Sequence, residues 1–332
     1  MRILVYLPRP LGATILAIPF LQTLKENFPA SQISVVTNDR FDELLRNILP
    51  EYNQIPLPEI KDIPKLKKTS SRIKKMDFDL GILLEDSFAS ALLFYLARIP
   101  ERWGYDRENR GFMLTKRFGL KATDPQVHLK YYYLNILNKL GLKVEDRDFC
   151  LHLAQDNLAK ADQKLSQAGL SLDKPIVSIK PGSSFGRARI WPAENQIKLI
   201  EKIASTPAQV LLLGSLSSRE ISQSISSQLD RRVADLTGML HLQEIPGVIA
   251  RSRVFVGNDS GLTHLANFLG VPVVGLYGPT DPQICGPSRQ PASILKKPVP
   301  CAPCTYKTCP YDHRCLKNIT VEEVFQAVSN YL

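Results

Sequence analysis

Residues 254–264 read Val-Phe-Val-Gly-Asn-Asp-Ser-Gly-Leu-Thr-His, setting a carboxylate, two hydroxyls, a glycine and an imidazole directly behind a short apolar run. Residues 254–256 have the length of an internal strand, and Leu262, Leu265, Ala266 and Leu269 then recur at helical spacing. The polar residues therefore fall at a strand-to-helix turn. In open α/β sheets ligands collect outside the carboxyl ends of the strands, and the first free amides of the following helix attract anions. A phosphate or a sugar hydroxyl is the ligand such a corner suits. Capping by Asp259 or Ser260 accounts for part of the pattern, but not for His264 one turn further on.

A second corner follows residues 176–179, where Pro181-Gly-Ser-Ser-Phe-Gly-Arg-Ala-Arg189 leads to Trp191-Pro192. Gly182, Ser183 and Ser184 offer amides and hydroxyls to a phosphate, and Arg187 and Arg189 offer charge to a diphosphate leaving group. Residues 214–218, 238–241 and 277–281 are further polar clusters placed just behind apolar runs, so one rim of one sheet gathers them all. No Gly-Lys-Ser/Thr ends any of these loops, which disfavours an ATPase or GTPase. The loop Leu7-Pro8-Arg9-Pro10-Leu11-Gly12 does not fit G-x-G-x-x-G, which argues against hydride transfer.

The elements that must hold these corners alternate. In the second half, strands are predicted over 176–179, 210–213, 233–236, 254–256 and 271–276. Between them run helices that follow Trp191-Pro192, carry Ile221, Ile225 and Leu229, or carry Leu242, Ile245 and Ile249. This is a doubly wound pattern. The first half opens with a strand over 3–7, a loop, an apolar helix through Leu24 that Pro19 kinks or starts late, and a strand over 33–36. Another strand over 80–84 leads past Ser87 to a helix over 89–97. A helix over 156–168 closes at Gly169, and Thr320-Val-Glu-Glu323 forms a capping box for a final helix.

With 332 residues and 44% hydrophobic content, two ordinary cores are expected. The opening Met1-Arg-Ile-Leu-Val-Tyr-Leu7 is too short an apolar run for a signal peptide, and no run nears the roughly 20 apolar residues of a membrane helix, so a cytoplasmic chain is expected. The net charge is +10, and Lys61, Lys65, Lys67, Lys68, Arg72, Lys74 and Lys75 crowd residues 61–75 beside a single acid, Asp62. That segment favours an anionic partner, a phosphorylated glycolipid or a membrane surface; nucleic acid ranks last because no nucleic-acid motif or interleaved aromatics accompany it. Four of the six cysteines fall at Cys301, Cys304, Cys309 and Cys315 with His313 among them. This compact spacing is either a structural cluster, metal-bound, or a loop of reduced thiols.

Taken together, these residues resemble the bacterial ADP-heptose:lipopolysaccharide heptosyltransferases, glycosyltransferase family 9, of the heptosyltransferase II type, nearly end to end. The likeness rests on the N-terminal Pro-x-x-Leu-Gly loop, Ser87-Phe88 with Ser90-Ala-Leu-Leu, Arg98-Ile-Pro100, Gly104-Tyr105 and Arg110-Gly111. In the second half it rests on the Pro181-Gly-Ser loop, Asn258-Asp-Ser-Gly-Leu-Thr-His264, Gly275-Leu-Tyr-Gly-Pro-Thr280 and the Cys301 to Cys315 segment. The resemblance implies an α/β fold of GT-B architecture, with two Rossmann-like doubly wound domains facing across a cleft. Their expected bounds are 1–168 for the acceptor and 169–318 for the nucleotide sugar, with a C-terminal helix, 319–332, crossing back to the first. It implies inverting, metal-independent transfer of heptose from ADP-heptose to the Kdo or heptosyl-Kdo inner core of lipid A, with no cofactor, at the cytoplasmic face of the inner membrane.

By the same resemblance, Gly12, Ser183, Ser184, Arg187 and Arg189 lie near the diphosphate, Gly238 and Leu240 at the adenine, and Asp259, Ser260, Gly261, Thr263 and His264 around the phosphates and sugar. Arg189 also acts in catalysis, and Lys65, Lys68, Arg72 and Arg110 meet the acceptor. One departure stands out. Relatives of this kind carry Leu-Gly-Asp in the first loop, the aspartate being the general base, whereas this chain has Leu11-Gly12-Ala13. A methyl group takes no proton, and a positioned base contributes about 10²–10⁴-fold. Three readings stand: an inactivating substitution, another carboxylate serving with Glu85 and Asp86 as candidates, or a sugar-nucleotide-binding chain that does not turn over. Another sugar nucleotide is a further alternative.

Overall fold

The computed structural model describes residues 1–60, 62–119, 127–145, 147–229 and 233–332; Lys61 of the basic run lies outside them. The chain divides into two compact units, Met1–Arg147 and Asp148–Leu332.

The first unit is a doubly wound parallel sheet. Its strands are β1 (Arg2–Tyr6), β2 (Gln32–Asn38), β3 (Asn53–Leu57), β4 (Leu80–Leu83), β5 (Glu101–Tyr105) and β6 (Lys116–Phe118), in the order β3-β2-β1-β4-β5-β6. Ile3, Leu4 and Val5 are fully buried on both faces, as strands covered by helices on either side must be. The helices are α1 (Leu11–Leu16), α2 (Ile18–Asn27), α3 (Asp42–Ile48), α4 (Ile63–Lys74), α5 (Phe88–Leu96) and α6 (Leu129–Lys139). The expected kinked helix is in fact two, parted at Ala17, because Pro19 occupies the first turn of α2, where its missing N–H costs nothing. The sequence pattern passed over β3, β5 and β6. β3 and β6 are the sheet's edges and β5 lies next to one, and Glu101-Arg-Trp and Lys116-Arg leave too few apolar residues to alternate.

The second unit contains α7 (Gln155–Gln167), β7 (Ile176–Ile179), α8 (Ala193–Ala204), β8 (Gln209–Leu212), α9 (Arg219–Ser226), β9 (Val233–Asp235) and α10 (Ile245–Ala250). It continues through β10 (Val254–Asn258), α11 (Gly261–Phe268), β11 (Val273–Tyr277), α12 (Pro282–Cys285), β12 (Ala292–Lys296), α13 (Arg314–Lys317) and α14 (Val321–Ser329). Its sheet is also parallel, ordered β12-β11-β10-β7-β8-β9. The expected strands are present, and a sixth, β12, pairs with β11 from Ala292↔Val273 to Lys296↔Tyr277. As an edge strand with alternately half-exposed residues, β12 lacks the apolar run of its neighbours.

One domain expectation needs correction: helix α7 packs against α10, so the boundary falls at Arg147/Asp148 rather than 168/169. Within the second unit the final helix contributes to the core: Val324, Ala327 and Val328 join Leu199, Ile203 and Leu316 in one buried cluster. Trp191 Nε1 donates to the Ile319 carbonyl at 3.0 Å, and Lys202 pairs with Glu322 at 2.6 Å. The capping box at Thr320 and Glu323 forms as predicted.

In each sheet one pair of strands marks where the winding reverses, β1 and β4 in the first and β7 and β10 in the second. Loops leaving such a pair diverge and open a crevice for a ligand.

Candidate functional site

In the second unit the loops after β7 and β10 meet at the reversal point, knotted by a buried polar cluster. The Lys180 ammonium donates to the Gly182 carbonyl and, at 3.4 Å, to Asn258 Oδ1. Asn258 Nδ2 donates to the Arg189 carbonyl at 2.7 Å and to the Gly182 carbonyl at 3.3 Å. Two side chains thus clamp both ends of the loop 180–189 onto the mouth of β10. Burial pulls the Lys180 ammonium down to about 8; Asp259 opposes that and Arg189 adds to it.

Beyond the knot lies an ionic row. Arg189 Nη1 sits 3.0 Å from Asp259 Oδ2, and His264 Nε2 sits 3.5 Å from Asp259 Oδ1. Burial works against the Asp259 charge, but His264 and Arg189 outweigh it and hold the carboxyl below its usual range. Behind the carboxylate, burial and Asp259 push the Cys285 thiol up to about 12, so it stays neutral and donates toward Asp259 Oδ2 at 3.6 Å. The guanidinium of Arg189 also lies 4.0 Å from the Phe185 ring centre. Arg189 Nε and His264 Nδ1 are buried without a hydrogen-bond partner among the described residues. An unspent guanidinium N–H and an unspent imidazole nitrogen beside a helix N-terminus fit an anion or a sugar hydroxyl.

The neighbouring loops are packed onto this corner. A Cβ at Gly182 would come 2.5 Å from Ser218 Cβ, and one at Gly238 (φ +68°) would come 2.9 Å from Leu216 Cα, so the loops after β7, β8 and β9 touch along the rim. Leu216 and Met239 stand exposed there. The loop 301–315 covers the other side, with Ala188 N donating to the Lys307 carbonyl at 2.9 Å and His313 Nε2 lying 2.8 Å from the Ala188 carbonyl.

Gly186, at φ +154°, lies 2.8 Å from Lys307 Cα measured from where a Cβ would stand. Gly186→Ala is therefore expected to cost about 1–3 kcal/mol through backbone strain and overlap. The change should appear as a lowered unfolding midpoint of the Trp191 environment, and an unchanged midpoint would show that the loop yields freely.

The predicted residues divide three ways. Asp259, His264 and Arg189 come together as expected. Ser260 caps α11, accepting from Thr263 N at 3.4 Å, with Gly261 behind it. Ser183, Ser184 and Arg187 line the loop with Ser184 and Arg187 exposed, while Gly238 is exposed and Leu240 half-buried on the rim. Thr263 is a correction: it is fully buried, its hydroxyl spent on the Asn258 carbonyl at 2.6 Å, so it shapes the turn rather than meeting a ligand. Lys180, Asn258 and Phe185 were not singled out. A lysine ending a four-residue apolar strand was the available signal for the first.

In the first unit, Gly12 and Ala13 sit half-buried in the first turns of α1. Lys65, Lys68 and Arg72 all project from the solvent side of α4, whose other face buries Leu66, Ser70 and Ile73. Arg110 is the second correction. It is fully buried, with Nε donating to the Tyr105 carbonyl at 3.0 Å, Nη1 to the Glu85 carbonyl and Nη2 to Asp86 Oδ1 at 3.0 Å. A guanidinium used up in this way braces the rim and does not meet an acceptor.

Cys301, Cys304, Cys309 and Cys315 line one small cavity together with His313, all as free thiols. Among the described residues no three such groups are arranged to hold a metal ion, and no helix is long and apolar enough to cross a membrane.

The model of glycosyltransferase family 9 (heptosyltransferase) matches residues 66–314. Lipooligosaccharide heptosyltransferase 2 of Haemophilus ducreyi is 30% identical over 308 residues, covering 89% of this chain and 88% of that protein. Lipopolysaccharide heptosyltransferase 2 of Salmonella typhimurium is 29% identical over 307 residues, with the same coverage of 89% and 88%. Among solved structures, the ADP-heptose LPS heptosyltransferase II of E. coli superposes with a TM-score of 0.86 at 25% identity, covering 100% of this chain and 98% of that one. The α/β class and GT-B architecture expected from the sequence are borne out by that superposition and by the two parallel sheets.

Proposed function

Because this chain is a glycosyltransferase and belongs to family 9, the heptosyltransferase family, we propose that it transfers heptose from ADP-heptose to the Kdo or heptosyl-Kdo inner core of lipopolysaccharide, with inversion and without a metal ion. The observation that carries the reading is the row Arg189, Asp259 and His264 at the reversal point of the second sheet, with unspent Arg189 and His264 nitrogens.

In this reading the diphosphate lies over the amide end of α11 and the 182–189 loop. Arg189 and the loop amides take up the charge that builds on the leaving phosphate, which is the work a divalent cation would otherwise do. Asp259 aims Arg189 and His264. Ser183, Ser184 and Arg187 bind phosphate oxygens, and the adenine lies by Gly238 and Leu240, where exposed Leu216 and Met239 supply apolar surface. The relatives' names, heptosyltransferase 2, and the ADP-heptose in the name of the E. coli structure support this donor and acceptor class. Release of ADP from ADP-heptose in the presence of a Kdo-lipid A acceptor tests it directly; binding of donor without release under any acceptor would favour a non-catalytic chain, which Ala13 makes the second reading.

The acceptor is an anionic glycolipid at the cytoplasmic face of the inner membrane, and the exposed cations of α4 suit it. A basic residue near such a surface contributes about 1 kcal/mol. The triple variant Lys65→Glu, Lys68→Glu, Arg72→Glu is thus expected to weaken binding to Kdo-lipid A vesicles roughly 100-fold at low salt, with the difference fading as sodium chloride rises. Sedimentation with vesicles measures it, and equal binding by both proteins at low salt would remove α4 from the account.

A further inference from the structure

We propose that Glu85 is the general base of this chain, taking the proton of the acceptor hydroxyl in place of the carboxylate that Ala13 lacks. The proposal rests on the transferase reading above.

A hydroxyl that joins an anomeric carbon must shed its proton, and at neutral pH a positioned carboxylate is what accepts it. At the first sheet's reversal point the loops after β1 and β4 leave side by side, since Tyr6 pairs with Leu83 and Leu84 N donates to the Tyr6 carbonyl at 3.0 Å. The loop after β1 and the helix α1 it leads into hold Ala13 and no acid; the β4 loop holds Glu85 and Asp86. Asp86 is committed elsewhere, accepting from Arg110 Nη2 at 3.0 Å and from the Tyr132 hydroxyl at 2.6 Å.

Glu85 reaches the loop that leads into α1: its Oε2 accepts from Arg9 N at 2.9 Å, and among the described residues no donor is bonded to Oε1. The residue is half-buried rather than sealed in the core. Its backbone is fixed, with the Glu85 carbonyl accepting from Arg110 Nη1 and from Ser90 Oγ at 3.0 Å. A carboxylate presented from a braced turn is what a base requires. On the next loop, Asp106 pairs with Arg117 at 4.0 Å, and Glu108 accepts from Phe88 N at 3.2 Å.

The surroundings also tune it. Burial raises the Glu85 carboxyl above its ordinary value; the Arg9 amide opposes this, Asp86 reinforces it, and the charges of Arg9 and Arg110 oppose it, while the Glu85 charge in turn helps raise Tyr6 and Tyr133. A carboxyl whose pKa is raised is a stronger base once ionised. The step balances: the acceptor O–H proton passes to Glu85, the acceptor oxygen bonds to the heptose anomeric carbon, and the bond from that carbon to the diphosphate oxygen breaks with its electron pair leaving on ADP. Glu85 then returns the proton to water.

The test uses the full chain and four proteins: wild type, Glu85→Gln, Ala13→Asp and the double variant. Glutamine keeps an acceptor for Arg9 N, so the loop is retained while the base is lost. Glu85→Gln is expected to lower kcat for ADP release by about 10²–10⁴-fold with the calorimetric Kd for ADP-heptose within twofold of wild type. Adding Ala13→Asp should recover at least tenfold, because a carboxylate returns to the adjoining loop. The acid limb of the wild-type pH profile should vanish in Glu85→Gln and reappear at lower pH in the double variant. Glu85→Gln with more than a third of wild-type kcat overturns the proposal, as does a silent wild type that Ala13→Asp alone awakens. A wild type that takes up no ADP-heptose overturns the transferase reading itself, and the role of Glu85 with it.

Discussion

Arg110→Ala is expected to destabilise the first unit by about 3–5 kcal/mol, the cost of removing one partner from a buried ion pair. The fully buried guanidinium satisfies Asp86 and the carbonyls of Tyr105, Glu85 and Ser87. Truncation leaves Asp86 with Tyr132 and takes one donor from each of three carbonyls, which keep Arg107 N at Tyr105 and Ser90 Oγ at Glu85 and Ser87 besides the first turn of α5. Arg110→Lys should recover little, since an ammonium on a narrower stem cannot reproduce the planar fork. Trp103 in the first unit and Trp191 in the second give one fluorescent reporter each. Urea unfolding of Arg110→Ala in a Trp191→Phe background should therefore show an early Trp103 transition. A Trp103 midpoint equal to that of the parent would mean that the pair contributes nothing net.

The second large effect is on the donor. Arg189→Ala is expected to weaken ADP-heptose binding by about 100-fold or more, because losing one member of a buried charged pair costs about 2–5 kcal/mol and each 1.4 kcal/mol is tenfold. Two losses combine: a cation is withdrawn from the diphosphate, and Asp259 keeps His264 at 3.5 Å and the weak Cys285 thiol donor at 3.6 Å. The pair also sets an acid limit. Asp259 is held below its usual range in the folded chain, so the stability its charge contributes is complete above the unfolded carboxyl value of about 4 and is lost only as pH falls through the lower folded value. Donor affinity should therefore survive to below pH 4.5 in the wild type, whereas Asp259→Asn should be weak at every pH. An affinity already falling at pH 6 would show that another group governs the site.

How far the sequence carried these conclusions depended on whether a residue's role was local. The rim of the second sheet was legible because each of its strands is a short apolar run with its polar cluster directly behind, and parallel winding places all such ends on one side. Residues 258–264 could be read as a ligand corner for the same reason. Thr263 was misread because its hydroxyl turns inward to a carbonyl five residues back, a choice made by loop packing. Arg110 was misread because an arginine beside glycine in a loop looks exposed; its burial depends on Asp86 and Tyr132, far away in sequence. The strands β3, β6 and β12 escaped because edge strands need not be apolar on both faces, and β5 because Glu101-Arg102 opens it with two charges. Glu85 and Asp86 were visible as a pair, but only their different partners separate a braced carboxylate from one with a free oxygen.

The central claim is that the rim of the second sheet grips the diphosphate of a nucleotide sugar with its own cations. Calorimetric titration of ADP-heptose into the full chain, in EDTA and again with magnesium, for wild type and Arg189→Ala, tests it most directly. The account predicts a wild-type Kd that is the same within about twofold in both buffers and that weakens about 100-fold in Arg189→Ala. Binding that appears only with magnesium, or that Arg189→Ala leaves unchanged, would contradict it.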